Sequence, residues 1–314
     1  MDIEYLLLLQ NFRNATLEIF NNFFTFITNI AVDQYIIAIS LIIFWIVDKK
    51  KGKFVYLSLG LGCFLNALLK VTFCIYRPWI RDSRVEPPAA VKAGATGYSF
   101  PSGHSTCTSS TYFPIAARFK KYKSLVIFCF VMVLLTMFSR NYMGVHTPQD
   151  VLVGCGLGIV STFTILKVEQ YLDKHPEKDW IFVLISAIMT IGILLYVSLK
   201  SYPETYVDGK LLVDPAKMRI NSFSDPGLFF GGVLALYIEK HFIKLDISGT
   251  KYEKLMRAAI GFILLVFYCT TMSALVRVVN INIVYFLYTS SIPIIFMCLY
   301  PLTWKRKNKK KENI

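Results

Sequence analysis

Three short clusters hold residues suited to anion chemistry: Lys70 and Arg77 in KVTFCIYRP, Ser102-Gly103-His104 in PSGH, and Arg140, His146 and Asp150 in SRNYMGVHTPQD. All sit in or beside apolar stretches, where an ammonium costs about 2.5–3.5 kcal/mol on insertion scales. Seven residues separate Lys70 from Arg77, two helical turns, so both cations are expected on one helix face, where a bound anion would offset their burial. Snorkelling of Lys70 is the competing reading. Gly103 and His104 open an apolar run, and the free N–H groups of a helix start favour an anion, with glycine allowing close approach. Ser102 either bonds that anion or only caps the helix. Asp150 follows His146 by four residues, so its carboxylate can reach back to one imidazole nitrogen and raise the basicity of the other, the arrangement of a nucleophile and its orienting acid. The competing reading makes Asp150 a helix-start charge behind the Thr147-Pro148 cap and His146 an interfacial residue.

The elements that must carry these residues are membrane helices. Hydrophobic residues make up 55% and aromatic residues 15% of the 314, far from the balance of a soluble domain. Apolar runs near 33–48, 54–75, 102–118, 124–141, 148–168, 180–199, 226–242, 255–276 and 281–301 are expected to span a bilayer. Residues 4–30 are apolar but broken by Asn, Gln and Arg13, which suits an amphipathic helix in the interface. They lack the basic leader of a cleavable signal peptide. The fold expected is all-α: a polytopic bundle of one integrated membrane domain, with the clusters in residues 1–170. A carboxyl portion, 171–314, holds the sixth core helix, about three further spans after an outer loop of roughly 25 residues, and a basic tail.

With 34 Lys and Arg against 20 Asp and Glu the net charge is +14. Nine spans with the N-terminus outside leave 22 of the 34 cations on the cytoplasmic side. That excess predicts a cytoplasmic C-terminus, and it makes the basic runs topology anchors and anionic-lipid contacts, with no nucleic-acid partner. It also brings all three clusters to one non-cytoplasmic face. None of the seven Cys has disulfide or metal spacing, and no Asp/Glu/His cluster suggests a metal, so neither metal nor cofactor is expected.

In their order and spacing the three clusters resemble the three-part motif of the type 2 phosphatidic acid phosphatase superfamily, over roughly residues 60–165. The resemblance implies a six-helix core and a membrane phosphatase acting on a lipid phosphate or an isoprenoid diphosphate. It assigns Lys70, Arg77 and Arg140 to the phosphate oxygens with Ser102 and Gly103 adding donors, His146 to nucleophilic attack supported by Asp150, and His104 to proton transfer. The carboxyl extension is similar to that of sphingosine-1-phosphate phosphatases and glucose-6-phosphatases, and the proline-rich loop before PSGH leans toward the former. A sugar-phosphate phosphatase facing a lumen is the alternative enzyme; a lipid transporter or scramblase is the non-enzymatic one, which an intact nucleophile disfavours. Richness in Lys, Ile and Asn points to an AT-rich genome, and a bacterial plasma membrane is expected ahead of an endoplasmic reticulum. The sequence leaves the oligomeric state open.

Overall fold

The computed structural model describes residues 2–30, 33–207 and 210–304. The chain order is α1 (Asp2–Ala15), α2 (Asn21–Ile30), α3 (Asp33–Ile42, running on through Ile43–Val47), α4 (Lys49–Phe73), the short α5 (Pro78–Arg81) and α6 (Ala89–Gly94), α7 (Gly103–Arg118), α8 (Lys123–Tyr142), α9 (Pro148–Lys174), α10 (Asp179–Leu199), a hairpin of two-residue strands β1 (Tyr206–Val207) and β2 (Lys210–Leu211), α11 (Pro215–Ile238, running on through Glu239–Ile243), α12 (Lys251–Val279) and α13 (Asn282–Pro293, running on through Ile294–Leu299). The architecture is the expected all-α bundle. Six of the described helices are long and apolar enough to cross a membrane, and a seventh is counted if α2 and residues 34–47 form one bent span. The expected spans at 102–118 and 226–242 correspond to α7 and α11, which lie in the bundle but are not among those six.

The reason α7 fails as an apolar span is also the reason it holds the bundle together. Its 16 residues, GHSTCTSSTYFPIAAR, rise only about 24 Å, and Ser105, Thr106, Thr108, Ser109, Ser110 and Thr111 are fully buried in protein. Thr106 and Ser109 return their hydroxyls to carbonyls one turn back, which satisfies those two groups. Small residues then let backbones approach. A side chain at Gly62 of α4 would collide with Ser110, one at Gly158 of α9 with Ser109, and one at Gly154 with the Ser102 carbonyl. Helix association in lipid rests on such small-residue contacts because apolar burial gives no advantage over lipid tails.

The carboxyl helices attach by the same means. Gly227 and Gly231 of α11 meet the α13 backbone and side chains at Phe286, Thr289 and Ser290, while Gly232 faces Tyr56 of α4. At the end of the bundle away from the motif clusters, Lys49–Glu239 (2.7 Å), Lys50–Asp173 (2.8 Å), Lys240–Asp179 (2.6 Å) and Arg118–Glu169 tie α4, α7, α9, α10 and α11 together. The cations of that collar are ones that charge counting assigned to a single side.

One expected boundary is corrected. The start of the span expected at 226–242 lies inside α11, which begins eleven residues earlier with Asp214 accepting from the Ala216 N–H as its cap and Pro215 in the first turn. The outer connection is accordingly shorter than expected, because Pro226 is accommodated within the helix rather than opening it. The basic tail beyond Trp304 falls outside the described residues.

The glycine contacts give a direct test. Gly158→Leu should destabilise the detergent-solubilised protein by about 1–3 kcal/mol or prevent its folding, since the new side chain meets Ser109. Gly156, two residues away with nothing within 4 Å of a built Cβ, should accept leucine within about 0.5 kcal/mol. Thermal unfolding of the two variants side by side measures the difference; equal melting temperatures would contradict the packing described.

Candidate active site

Four chain segments meet at one end of the bundle: the end of α4, the start of α7, the end of α8 and the start of α9. They surround a cavity of about 820 Å³ whose lining includes Lys70, Arg77, Gly103, His104 and Arg140. His146 and Asp150, 1% and 2% exposed, are not among its lining residues and sit behind Arg77, which contacts the His146 ring.

Local sequence explains each placement. α4 ends at Phe73, where Cys74 takes a left-handed conformation (φ 49°) as its C-cap, and Arg77 is held extended ahead of Pro78. Lys70 and Arg77 therefore do not share one continuous helix face, as the seven-residue spacing had suggested. They reach the same cavity from a helix end and from the extended strand after it. Ser102 caps α7, accepting from the Ser105 N–H (3.4 Å) and the Ser105 hydroxyl (3.1 Å), so its side chain is committed to the helix start. Thr147 caps α9 with Pro148 next, and Asp150 completes a capping box, its Oδ2 accepting the Thr147 N–H at 2.8 Å.

Asp150 thus makes the contacts that both readings of its spacing require. The oxygen that closes the capping box also lies 3.4 Å from His146 Nδ1. Ser99 donates to that same oxygen at 2.5 Å and lies 3.5 Å from Nδ1. On the other side of the ring, Arg77 Nη1 approaches His146 Nε2 at 2.8 Å and donates to the Val145 carbonyl at 2.9 Å. With a guanidinium as the only possible donor in that pair, Nε2 carries the lone pair and Nδ1 the proton, which faces Asp150. Asn141 fixes the same segment by donating to the His146 carbonyl (2.9 Å).

The cations do different things in this arrangement. Lys70 donates to the Pro101 carbonyl (2.7 Å) and the Tyr98 carbonyl (3.3 Å), which fastens the loop leading to His104. Arg77 adds a bond from Nε to the Gly97 carbonyl (2.8 Å). Arg140, only 4% exposed, makes a 3.5 Å contact from Nη1 to Thr28, and its Nε has no partner. An orphaned charged donor beside a cavity is costly unless an anion arrives to accept from it. His104 faces the same space, lining it together with Arg140, Arg77 and Lys70.

Two contributors were missed by sequence reasoning. Ser99 bears no spacing signal of its own, since its part depends on a loop that the Ser99 N–H fastens to the Ile75 carbonyl (2.7 Å). Thr28 of α2 bonds the Ser139 hydroxyl (2.9 Å) and touches Arg140, so the amino-terminal segment closes one side of the cavity. Asn66, one turn before Lys70, bonds Thr106 (2.9 Å) and the Pro101 carbonyl rather than the ammonium. Among the described residues, no three His, Cys, Asp or Glu side chains group as metal ligands.

Residues 52–174, from the first turns of α4 to the last residue of α9, match the model of the PAP2 superfamily. Over 171 residues, half of this chain, the sequence is 30% identical to phosphatidylglycerophosphatase B of Bacillus subtilis (strain 168) and covers 79% of that protein. The chain belongs to the PAP2 superfamily. It is also 30% identical over 133 residues, 40% of its length, to undecaprenyl-diphosphatase of Sulfolobus acidocaldarius, covering 62% of that protein. No solved structure gives a significant match. The matched superfamily segment contains every candidate site residue from Lys70 to Asp150 and none of α10–α13.

The geometry around Ser99 makes a prediction for a residue that touches no substrate. Ser99→Ala should leave Asp150 with one fewer donor and lower kcat by about tenfold with little change in KM, because the carboxylate loses a charge-assisted hydrogen bond of about 1.5 kcal/mol and some of its orientation. Steady-state kinetics on any hydrolysed phosphoester reads the split. A rise in KM alone would contradict the role.

Proposed function

We propose that this integral membrane protein hydrolyses the phosphomonoester or diphosphate of a lipid through a phosphohistidine intermediate, without a metal. The observation that carries the reading is the contact of His146 Nε2 with Arg77 at 2.8 Å, Arg77 lining the cavity together with Lys70, His104 and Arg140, while Nδ1 faces Asp150. Membership of the PAP2 superfamily and the names of its two relatives, one a phosphatidylglycerophosphatase and one an undecaprenyl-diphosphatase, support a lipid phosphatase.

The steps follow from the contacts. A phosphate entering the cavity takes the Arg77 donor from Nε2 and satisfies the orphaned Arg140 Nε, with the backbone at Gly103 open for close approach. The freed lone pair attacks phosphorus and the P–O bond to the lipid breaks. His104 gives its proton to the leaving oxygen, and Asp150 stabilises the imidazolium through Nδ1–H. Water, deprotonated by His104, then attacks phosphorus, the P–N bond breaks, and inorganic phosphate leaves. Lys70, Arg77 and Arg140 meet the charge on the equatorial oxygens throughout, which is the work a metal would otherwise do.

For sidedness we infer a cytoplasmic C-terminus and a site at the opposite face, since the collar of Lys49, Lys50, Arg118 and Lys240 lies at the far end of the bundle from His104. A Cys at Ala93, on an exposed stretch beside the site, should react with an impermeant maleimide added outside intact cells in a background lacking native Cys. Labelling only after permeabilisation would reverse the orientation.

The mechanism predicts different losses for its two histidines. Activity on lipid phosphates in mixed micelles should persist in excess EDTA. His146→Ala should abolish turnover of every substrate. His104→Ala should lose about 10²–10⁴ in rate on a lipid phosphate yet, with p-nitrophenyl phosphate, release a stoichiometric burst of nitrophenol and trap acid-labile phosphate. A burst from His146→Ala and none from His104→Ala would exchange the two roles, and activity lost to EDTA and restored by magnesium would overturn the metal-free reading.

A further inference from the structure

One membrane-embedded carboxylate takes no part in the chemistry above. Asp225 sits in the middle of α11, ten residues from its start and followed directly by Pro226. An ionisable side chain at such a position is expensive, and it is retained where it faces a cavity and meets a polar partner. Asp225 is half-buried and lines the catalytic cavity together with Ser222 and Ser224 of the same helix. Lys70 of α4 lines the same cavity.

Asp225 also lines a second cavity of about 660 Å³, enclosed by α3, α4, α11, α12 and α13. Cys63, Thr96, Cys107, Ser224 and Asp225 are common to both, so the two spaces adjoin at this carboxylate. The annex is rich in hydrogen-bonding side chains for a membrane bundle: Thr270, Ser273, Tyr285, Tyr288 and Thr289 come from α12 and α13. These helices lie wholly outside the segment matched by the superfamily model.

A carboxylate beside a phosphate site repels a second anion and gains nothing from an alkyl chain. With four lone-pair sites it can hold a present partner and still accept from an incoming donor. We propose that Asp225 is a specificity determinant at the throat between the two cavities, selecting lipid phosphates whose leaving group carries a hydrogen-bond donor, hydroxyl or ammonium, on the carbon next to the phosphoester. The annex receives the polar part of that leaving group. This rests on the phosphatase reading of the catalytic cavity and assigns the α11–α13 extension the choice of substrate.

Three probes of equal chain length separate the possibilities: dodecyl phosphate, 2-hydroxydodecyl phosphate and 2-aminododecyl phosphate, assayed in the same micelles with the full-length protein. The wild type should favour the donor-bearing probes by about tenfold or more in kcat/KM, as expected for a hydrogen bond to a charged acceptor. Asp225→Leu should bring both ratios near one. Asp225→Asn, which keeps an acceptor oxygen and the side-chain shape, should retain part of the hydroxyl preference and lose the ammonium preference, so the two donor classes are told apart. A wild type without preference, or a loss in either variant that is equal for all three probes, would overturn the proposal and leave Asp225 as a counter-charge for Lys70. Failure of the wild type to hydrolyse any of the three would instead count against the phosphatase reading itself.

Discussion

Burying three cations around one cavity in a membrane protein is the constraint to which the rest of the fold answers. Lys70, Arg77 and Arg140 repel one another, and Asp150 supplies a single negative charge in direct contact with His146. Backbone carbonyls do most of the compensation: Pro101 and Tyr98 accept from Lys70, and Gly97 and Val145 from Arg77. Those bonds also set the paths of the two loops that carry His104 and His146. The charges thus shape the loops, and the loops hold the charges where phosphate would meet them. Arg140 is left partly unsatisfied, which poises the cavity toward an anion.

The helices contribute by closeness rather than by apolar bulk. The short, hydroxyl-rich α7 starts at the cavity, with its capped N-terminus beneath His104, and its glycine-mediated contacts with α4 and α9 hold three of the four converging segments together. Around this core, α2 closes one side through Thr28, and α11 brings in Ser222, Ser224 and Asp225. Both additions lie outside the superfamily match, so the shared segment holds the clustered cations and histidines and the flanking helices complete the cavity wall.

Much of this was legible in the sequence, and the exceptions have physical causes. The membrane helices follow from apolar length, and the Thr147-Pro148 start and the Ser102 cap follow from local residue type. The link between His146 and Asp150 could be read because i,i+4 contacts are local. The Lys70 and Arg77 pairing was right in outcome but wrong in path, since a left-handed cap at Cys74 is unusual for a residue other than glycine or asparagine. The start of α11 was misplaced because Pro226 resembles a helix opening, although the Asp214-Pro215 signal stood eleven residues earlier. Ser99 and Thr28 could not be found, because each acts through a partner 51 or more positions away.

The central claim, that the cation cluster is built for a phosphate-like anion and strained without one, is tested most directly by the melting temperature of the detergent-solubilised protein with and without orthovanadate. Wild type should be stabilised by vanadate in proportion to its occupancy. Arg140→Met should melt higher than wild type in the absence of vanadate, because a buried, under-satisfied charge is replaced by an apolar chain of similar length, and should lose most of the vanadate-dependent rise. An Arg140→Met protein that melts lower than wild type and keeps the full response to vanadate would contradict the account.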